Sequence, residues 1–247
     1  MKVIPAFLLV YPLWRRDRRC LAGCALGLLA GLGAIPVAVF GPARTVTYYR
    51  EWTEALLLPA MAKGNDHLRD TELINITATH SQSFLPILHN WLNPRESQRP
   101  AQAAAATRRA HWCIAGLLTL ATLAAAGRRR ETATTMLLAF GALTLMMVLA
   151  SPICHTHYFV LSVPIVMGIL ASFPAAPAEW MDRRLRLLLG VNLIANAVPL
   201  MDGMEPLRDF GLITLLALSL WLTACVLLWR RPAEAIPEQT ETPRLAA

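Results

Sequence analysis

Charge is what this sequence has least of. Only 16% of its 247 residues are Asp, Glu, Lys or Arg, where a soluble domain carries about 25%. Also absent are a Walker loop, a Gly-rich dinucleotide turn and a nucleophile elbow, which excludes the common forms of soluble nucleotide and hydrolase chemistry. The five cysteines (Cys20, Cys24, Cys113, Cys154, Cys225) are too few and too scattered for a disulfide framework. One Cys113–Cys154 bridge stays open, because both fall on the same side in the topology below. Otherwise they read as small apolar packers.

What is there instead is apolar length. Hydrophobic residues make up 55% of the chain and mean hydropathy is +0.45. They are gathered in continuous runs of the length, about 20 residues, that a bilayer asks of a helix. The period-2 alternation of barrel strands is missing. The fold class is therefore all-α, a polytopic membrane helix bundle of about six full transmembrane helices plus a truncated first one. The spans read as Leu21–Phe40, Trp112–Ala126, Thr132–Ala150, Tyr158–Phe173, Leu185–Leu200 and Phe210–Trp229. Val3–Trp14 is apolar but too short to cross.

The net charge of +7 sits in Arg clusters beside these runs, the positive-inside pattern that orients helices and implies no nucleic-acid partner. Arg15–Arg19, Arg128–Arg130, Arg183–Arg186 and Arg230–Arg231 are then inside, whereas 41–110, 151–157 and 201–209 are outside. Residues 1–231 read as one membrane domain. Residues 232–247 read as a disordered cytoplasmic tail, in a bacterial plasma membrane protein whose C-terminus is cytoplasmic. Gly27, Gly31 and Gly33 offer small faces for helix packing, and Asn192 and Asn196 suit helix–helix hydrogen bonds.

Within the polar section 41–110, Val46, Tyr49, Thr53, Leu56, Leu57 and Ala60 fall at helical spacing and predict an interfacial helix. It reads either as a lid on the bundle or as a wall admitting lipid from the side. A second short helix is predicted over Ser81–Trp91 with Ser81 as its cap, and such a start can hold an anion through free N–H groups. The polar groups of Ser151–Pro164 lie between two spans, where titratable groups are expensive and usually kept for function. His155 or His157 could bind phosphate or move a proton near neutral pH. Cys154, His155 and His157, with His80 or His89, are zinc-ligand types. No Cys-x-x-Cys or His-Glu-x-x-His pattern supports them, and His155 and His157 share a face only on an extended backbone. Asp202, Glu205 and Asp209 read as solvated acids, and Asn75-Ile76-Thr77 is a glycosylation sequon by pattern.

Three stretches resemble glycosyltransferase family 87, a group of membrane proteins that includes mycobacterial polyprenyl-phosphate-mannose-dependent mannosyltransferases. Ser151-Pro152-Ile153-Cys154-His155-Thr156-His157-Tyr158 is similar to the family's Ser-Pro-Ile-Ser-Trp-x-His-Tyr-like entry into a helix. Ser81-Gln82-Ser83-Phe84 is similar to its Asn-Gln-Ser-Leu-like stretch, with His89 near the usual Arg. Lys2, Pro5 and the run into Arg15–Arg19 resemble its Lys-x-x-Pro helix ending in a basic cluster.

The resemblance implies a GT-C fold with its site at the outer face. It implies hexosyl, typically mannosyl, transfer from a polyprenyl-phosphate-linked sugar to a lipid or glycan acceptor hydroxyl. It also implies a catalytic Asp in an early outer loop that this chain lacks, so the chain is expected to be the C-terminal part of a member. No catalytic base is assigned, and any divalent cation would be held by the missing part. Gln82, Ser83, His155, His157 and Tyr158, with His80 and His89 behind them, are the expected substrate-binding wall. Two other readings stand beside this one. A non-catalytic remnant or subunit would pair with a separate N-terminal half. A lipid-linked-sugar transporter would want mid-helix charges and an internal repeat, and neither is visible.

Overall fold

A computed structural model describes residues 5–57, 81–127, 132–152, 154–173, 179–201 and 203–230. His80, Asp202, the sequon at 75–77, Arg128–Arg130 and the tail from Arg231 lie outside the described residues. Among the described residues every regular element is helical, and the chain is an all-α membrane bundle. The helices are α1 (Val10–Arg15, after a 3-10 turn Pro5–Leu9), α2 (Arg18–Leu29), α3 (Ile35–Phe40), α4 (Pro42–Trp52), α5 (Phe84–Leu92) and α6 (Ala105–Ala126). They continue as α7 (Ala133–Ala150), α8 (Val163–Leu170, after a 3-10 stretch Thr156–Ser162), α9 (Glu179–Ala197), α10 (Glu205–Phe210) and α11 (Leu212–Arg230).

Four helical stretches are long and apolar enough to cross a bilayer: Arg18–Phe40, which joins α2 and α3 through a π turn, and then α6, α7 and α11. Thr156–Leu170 is apolar but shorter. Helix α9 opens with Glu179, Asp182, Arg183, Arg184 and Arg186, so its first turns are charged and only its second half reads as apolar. Helix α6 begins at Ala105, ahead of the expected Trp112. Its buried face is small and polar, with Thr107, His111, Ala115, Thr119 and Thr122 recurring every three or four residues.

Helix α7 is the centre. It has no polar side, and Leu138, Ala142, Leu143, Leu145, Met146 and Leu149 are fully buried. A helix that is apolar all round belongs inside a bundle. Around it pack Ile165 and Ile169 of α8, Leu185 of α9, and Ala217, Leu220, Trp221 and Ala224 of α11. The Trp221 indole N–H donates to the Thr122 hydroxyl at 2.8 Å, so the one indole in this core is satisfied. Asn192 Nδ2 donates to Ser219 Oγ at 3.1 Å and ties α9 to α11, the use read from the sequence.

The α7–α8 contact is so close that only glycine fits. A Cβ added at Gly141 would stand 2.6 Å from Ile165 Cα, and one at Gly168 would stand 2.9 Å from the Leu138 nitrogen. Both obstacles are backbone and cannot rotate away. The N-terminal hairpin is the opposite case. The window of Arg18–Phe40 has 0% of its residues buried, and nothing lies within 4 Å of a Cβ added at Gly27, Gly31 or Gly33. The expected close packing on those glycines does not occur among the described residues.

Helix α4 follows the hairpin after Gly41 and packs on α3, with Phe40 and Tyr48 edge to face at 5.4 Å and the Tyr49 hydroxyl donating to the Leu32 carbonyl. Its residues Val46 and Tyr49 are exposed, so the described part of this interfacial helix is not a lid pressed on the core. All five cysteines are free, which corrects the open bridge. Cys113 is exposed on α6, while Cys154 is buried against Met147 and Val148.

Gly141→Val is expected to destabilise the protein by about 1–3 kcal/mol through overpacking at the α8 backbone. Gly27→Val, on the unpacked hairpin, is expected to stay within about 0.5 kcal/mol. Denaturant titration of both variants in the same micelle checks this, and equal effects would rule out the α7–α8 contact as described.

Candidate functional site

The candidate site forms where α7 stops. Ser151 ends the helix in an extended conformation (ψ 139°) ahead of Pro152, which cannot continue it. His155 is extended as well, before the 3-10 stretch begins at Thr156. Into this non-helical corner comes the segment before α5. Ser81 and His155 form an isolated antiparallel bridge. The Gln82 N–H donates to the Cys154 carbonyl at 2.7 Å, and the Cys154 N–H donates to Ser81 Oγ at 3.1 Å.

This pairing corrects the expected helix start. Helix α5 begins at Phe84, and Ser81 and Gln82 lie ahead of it in the bridge. Ser83 occupies the cap position, but its hydroxyl makes no cap bond and donates to the Pro152 carbonyl at 3.2 Å. Local pattern favoured a capped helix; unpaired backbone groups of a broken segment nearby made the extended pairing better satisfied.

The structure sorts the expected site residues into two groups. Gln82 and Ser83 are fully buried. Gln82 Nε2 donates to the Arg208 carbonyl at 2.8 Å, and the Thr214 hydroxyl donates to the Gln82 carbonyl at 2.6 Å. His89 is buried on α5, with Nε2 3.0 Å from the Pro100 carbonyl. Gln82 and Ser83 fasten segment 81–83 to the ends of α7, α10 and α11, and His89 holds α5 to the loop that follows it. His155 and Tyr158 are half-buried and His157 is exposed. Their rings form a ladder: His155 and His157 are stacked at 5.7 Å and 15° between planes, and His157 and Tyr158 are 4.3 Å apart. The extended backbone at His155 is what lets two histidines two residues apart share a face.

That ladder is an accessible aromatic surface with imidazole donors and acceptors, able to cover a sugar ring or meet an anionic oxygen. As a metal centre it has less to offer. Among the described residues no group of three or more His, Cys, Asp and Glu comes together. The Cys154 thiol packs into Met147 and Val148, and His89 is held at Pro100.

Sequence reasoning passed over a second polar cluster beside the first. Arg99 Nη2 pairs with Asp209 Oδ2 at 2.7 Å, and Arg99 Nε donates to the Asn93 carbonyl at 3.0 Å. Arg208 Nη2 pairs with Glu205 at 2.7 Å, and its Nη1 donates to the Pro199 carbonyl at 2.9 Å. Two of the acids read as merely solvated are therefore ion-paired. The Glu205 carboxyl is held below the ordinary carboxylate range, first by its own backbone N–H and then by the Arg208 guanidinium. A depressed value means that the carboxylate form is favoured in the fold, and the brace weakens only as pH falls into the acid range. The available signal was Arg208 itself, a cation inside a run of acids next to a span. His111, also passed over, is buried on α6 beside the Ala150 carbonyl.

A helical membrane bundle with polar side chains gathered at one end of its central helix defines a broad class, the integral membrane transferases and transporters. The model of glycosyltransferase family 87 matches residues 1–152, over half of the chain, and the chain belongs to that family. It is thus a membrane glycosyltransferase in kind, working between a sugar donor and an acceptor. Ser81, Gln82, Ser83 and the Ser151-Pro152 break lie inside the matched range, and the His155–Tyr158 ladder follows directly after it. No curated protein and no solved structure matches the chain.

Gln82→Leu is expected to cost about 1 kcal/mol, because the buried Arg208 carbonyl loses one of its two donors and keeps only the Gly211 N–H. His157→Ala, at an exposed ring, is expected to cost under about 0.5 kcal/mol. Thermal unfolding in detergent compares the two, and a larger loss at His157 would contradict the division into fasteners and ladder.

Proposed function

We propose that this chain carries the lipid-phosphate and acceptor side of a GT-C type site, in which a hexosyl group passes from a polyprenyl-phosphate-linked sugar to a lipid or glycan hydroxyl. The observation behind this reading is the His155–His157–Tyr158 ladder at the end of the buried central helix, with the His157 ring exposed and its neighbours half-buried. Its placement at the loop end shared by 81–83, 151–157 and 203–209 matches the outer face expected from the Arg clusters. Arg15, whose Nη1 donates to the Gly127 carbonyl at 3.3 Å, ties the two ends expected to be inside. In this reading the site faces away from the cytoplasm of a bacterial plasma membrane and the C-terminus faces in.

His155 and His157 hydrogen-bond the carrier phosphate or the sugar, and Tyr158 lies against the ring. Gln82, Ser83 and His89 act as positioning residues that keep the ladder in place. The proton of the acceptor hydroxyl leaves to a base that is not assigned among these residues, as the C–O bond to the carrier phosphate breaks and the new glycosidic bond forms.

The test is sugar transfer by the full chain in proteoliposomes loaded with a polyprenyl-phosphate-linked hexose. The double change His155→Ala with His157→Ala is expected to lower kcat/KM at least about tenfold, with the thermal midpoint held within about 2 °C. Transfer at the unaltered rate would sink the ladder as a substrate wall.

A further inference from the structure

Beside the ladder, the α5–α10 corner buries polar atoms that have nothing to bond. Asn90 on α5 is 3% exposed, and neither its Nδ2 nor its Oδ1 has a partner among the described residues. Arg99 Nη1, Arg208 Nε and Asp209 Oδ1 are in the same condition. Their residues stand on neighbouring elements: Asn90 lies on α5, which packs against α10, the helix of Arg208 and Asp209. The Asn93 N–H donates to the Asn90 carbonyl at 3.1 Å, the Asn93 carbonyl accepts from Arg99, Arg99 pairs with Asp209, and Arg208 precedes it in the chain.

Unsatisfied buried polar groups are scarce in folded proteins and each costs stability. A concentration of five such atoms in one corner therefore asks for a ligand. Their chemistry narrows the class. Three are N–H donors and two are acceptors, so both roles are wanted at once. The charges cancel, since Arg99 faces Asp209 and Arg208 faces Glu205. An anion would want surplus cations, which this corner does not offer. A hydroxyl both donates and accepts, and adjacent ring hydroxyls meet mixed donors and acceptors. The Asp209 side chain keeps 22% of its surface open, so the corner lies just under the surface, with Oδ1 itself buried.

Resting on the glycosyl-transfer reading for its ligand class, we infer that Asn90, Arg99, Arg208 and Asp209 form a binding subsite for the hydroxyls of a neutral sugar ring. The ladder then meets the carrier end of the substrate, and this corner reads the sugar. Asn90 is the specificity determinant, because both of its amide groups are unspent.

The experiment needs no transfer reaction, so it stands apart from the test of the proposed function. The full chain is held in a polyether detergent and titrated with dodecyl mannoside, with dodecyl phosphate as the parallel probe, and the thermal midpoint is followed. The glycoside is expected to raise the midpoint of the unaltered protein, and any response to the phosphate, which belongs to the ladder, is expected to be the same in the parent and the Asn90 variants. Asn90→Leu is expected to match or exceed the ligand-free midpoint of the parent while its half-saturating glycoside concentration rises about tenfold or more. Asn90→Ala gives the same readout should leucine not fit. No response to the glycoside, an equal response to it in the variants, or a phosphate response that falls with Asn90 would each overturn the assignment.

Discussion

The rest of the structure hangs on the contact between α7 and α8, where two backbones meet over Gly141 and Gly168. Between membrane helices there is little hydrophobic drive, because lipid tails are as apolar as leucine, and close packing has to supply the attraction. Glycine supplies it by removing the side chain that would hold the backbones apart. With α8 seated, the second half of α7, from Gly141 to Ala150, is buried throughout, and it leads directly into the end at Ser151. Everything at that end, the bridge to Ser81 and the histidine ladder alike, takes its position from a helix that cannot shift.

The corner beyond α7 shows how backbone satisfaction arranges function. Pro152 stops the helix and leaves carbonyls and N–H groups that must find partners away from water. Segment 81–83 provides them, with Gln82 and Ser83 fully buried in the process. Residues that look available for chemistry in the sequence are thereby committed to structure. His157 is left facing outward, while Tyr158 beside it packs partly against Met147, Val148 and Cys154. A second glycine closes the arrangement: Gly211 adopts a left-handed φ of 82° between α10 and α11, and a Cβ there would stand 2.8 Å from Ile87 Cδ1 of α5.

The polar cluster of α5 and α10 has a different energetic character from the core around α7. The core is satisfied to its one indole N–H, whereas the cluster leaves donors and acceptors idle inside the protein. Local violations of this kind tend to gather at functional sites, where stability is given up for readiness to bind. The N-terminal span Arg18–Phe40 is a third regime, apolar, with none of its window buried among the described residues and α4 as its neighbour at one end.

Much of this was legible in the sequence. Run lengths and Arg clusters determined an all-helical membrane bundle, because a bilayer admits few other solutions and charge next to a span orients it. The Ser-Pro break marked the end of α7, where the candidate site forms, since proline acts locally whatever surrounds it. The family resemblance rested on local stretches and survived comparison for the same reason. What tertiary structure alone decided was which polar residue serves which end. Whether Gln82 is a ligand or a fastener depends on the carbonyl of Arg208, far away in the chain. Whether Glu205 and Asp209 are solvated or ion-paired depends on how α5 and the loop after it fold back on α10. Whether a glycine is a packing surface or idle depends on the neighbour it receives, as Gly141 and Gly27 demonstrate. Composition and period are properties of one segment and can be read from it. Pairing between segments is set by packing, and a single chain of letters does not contain the distance.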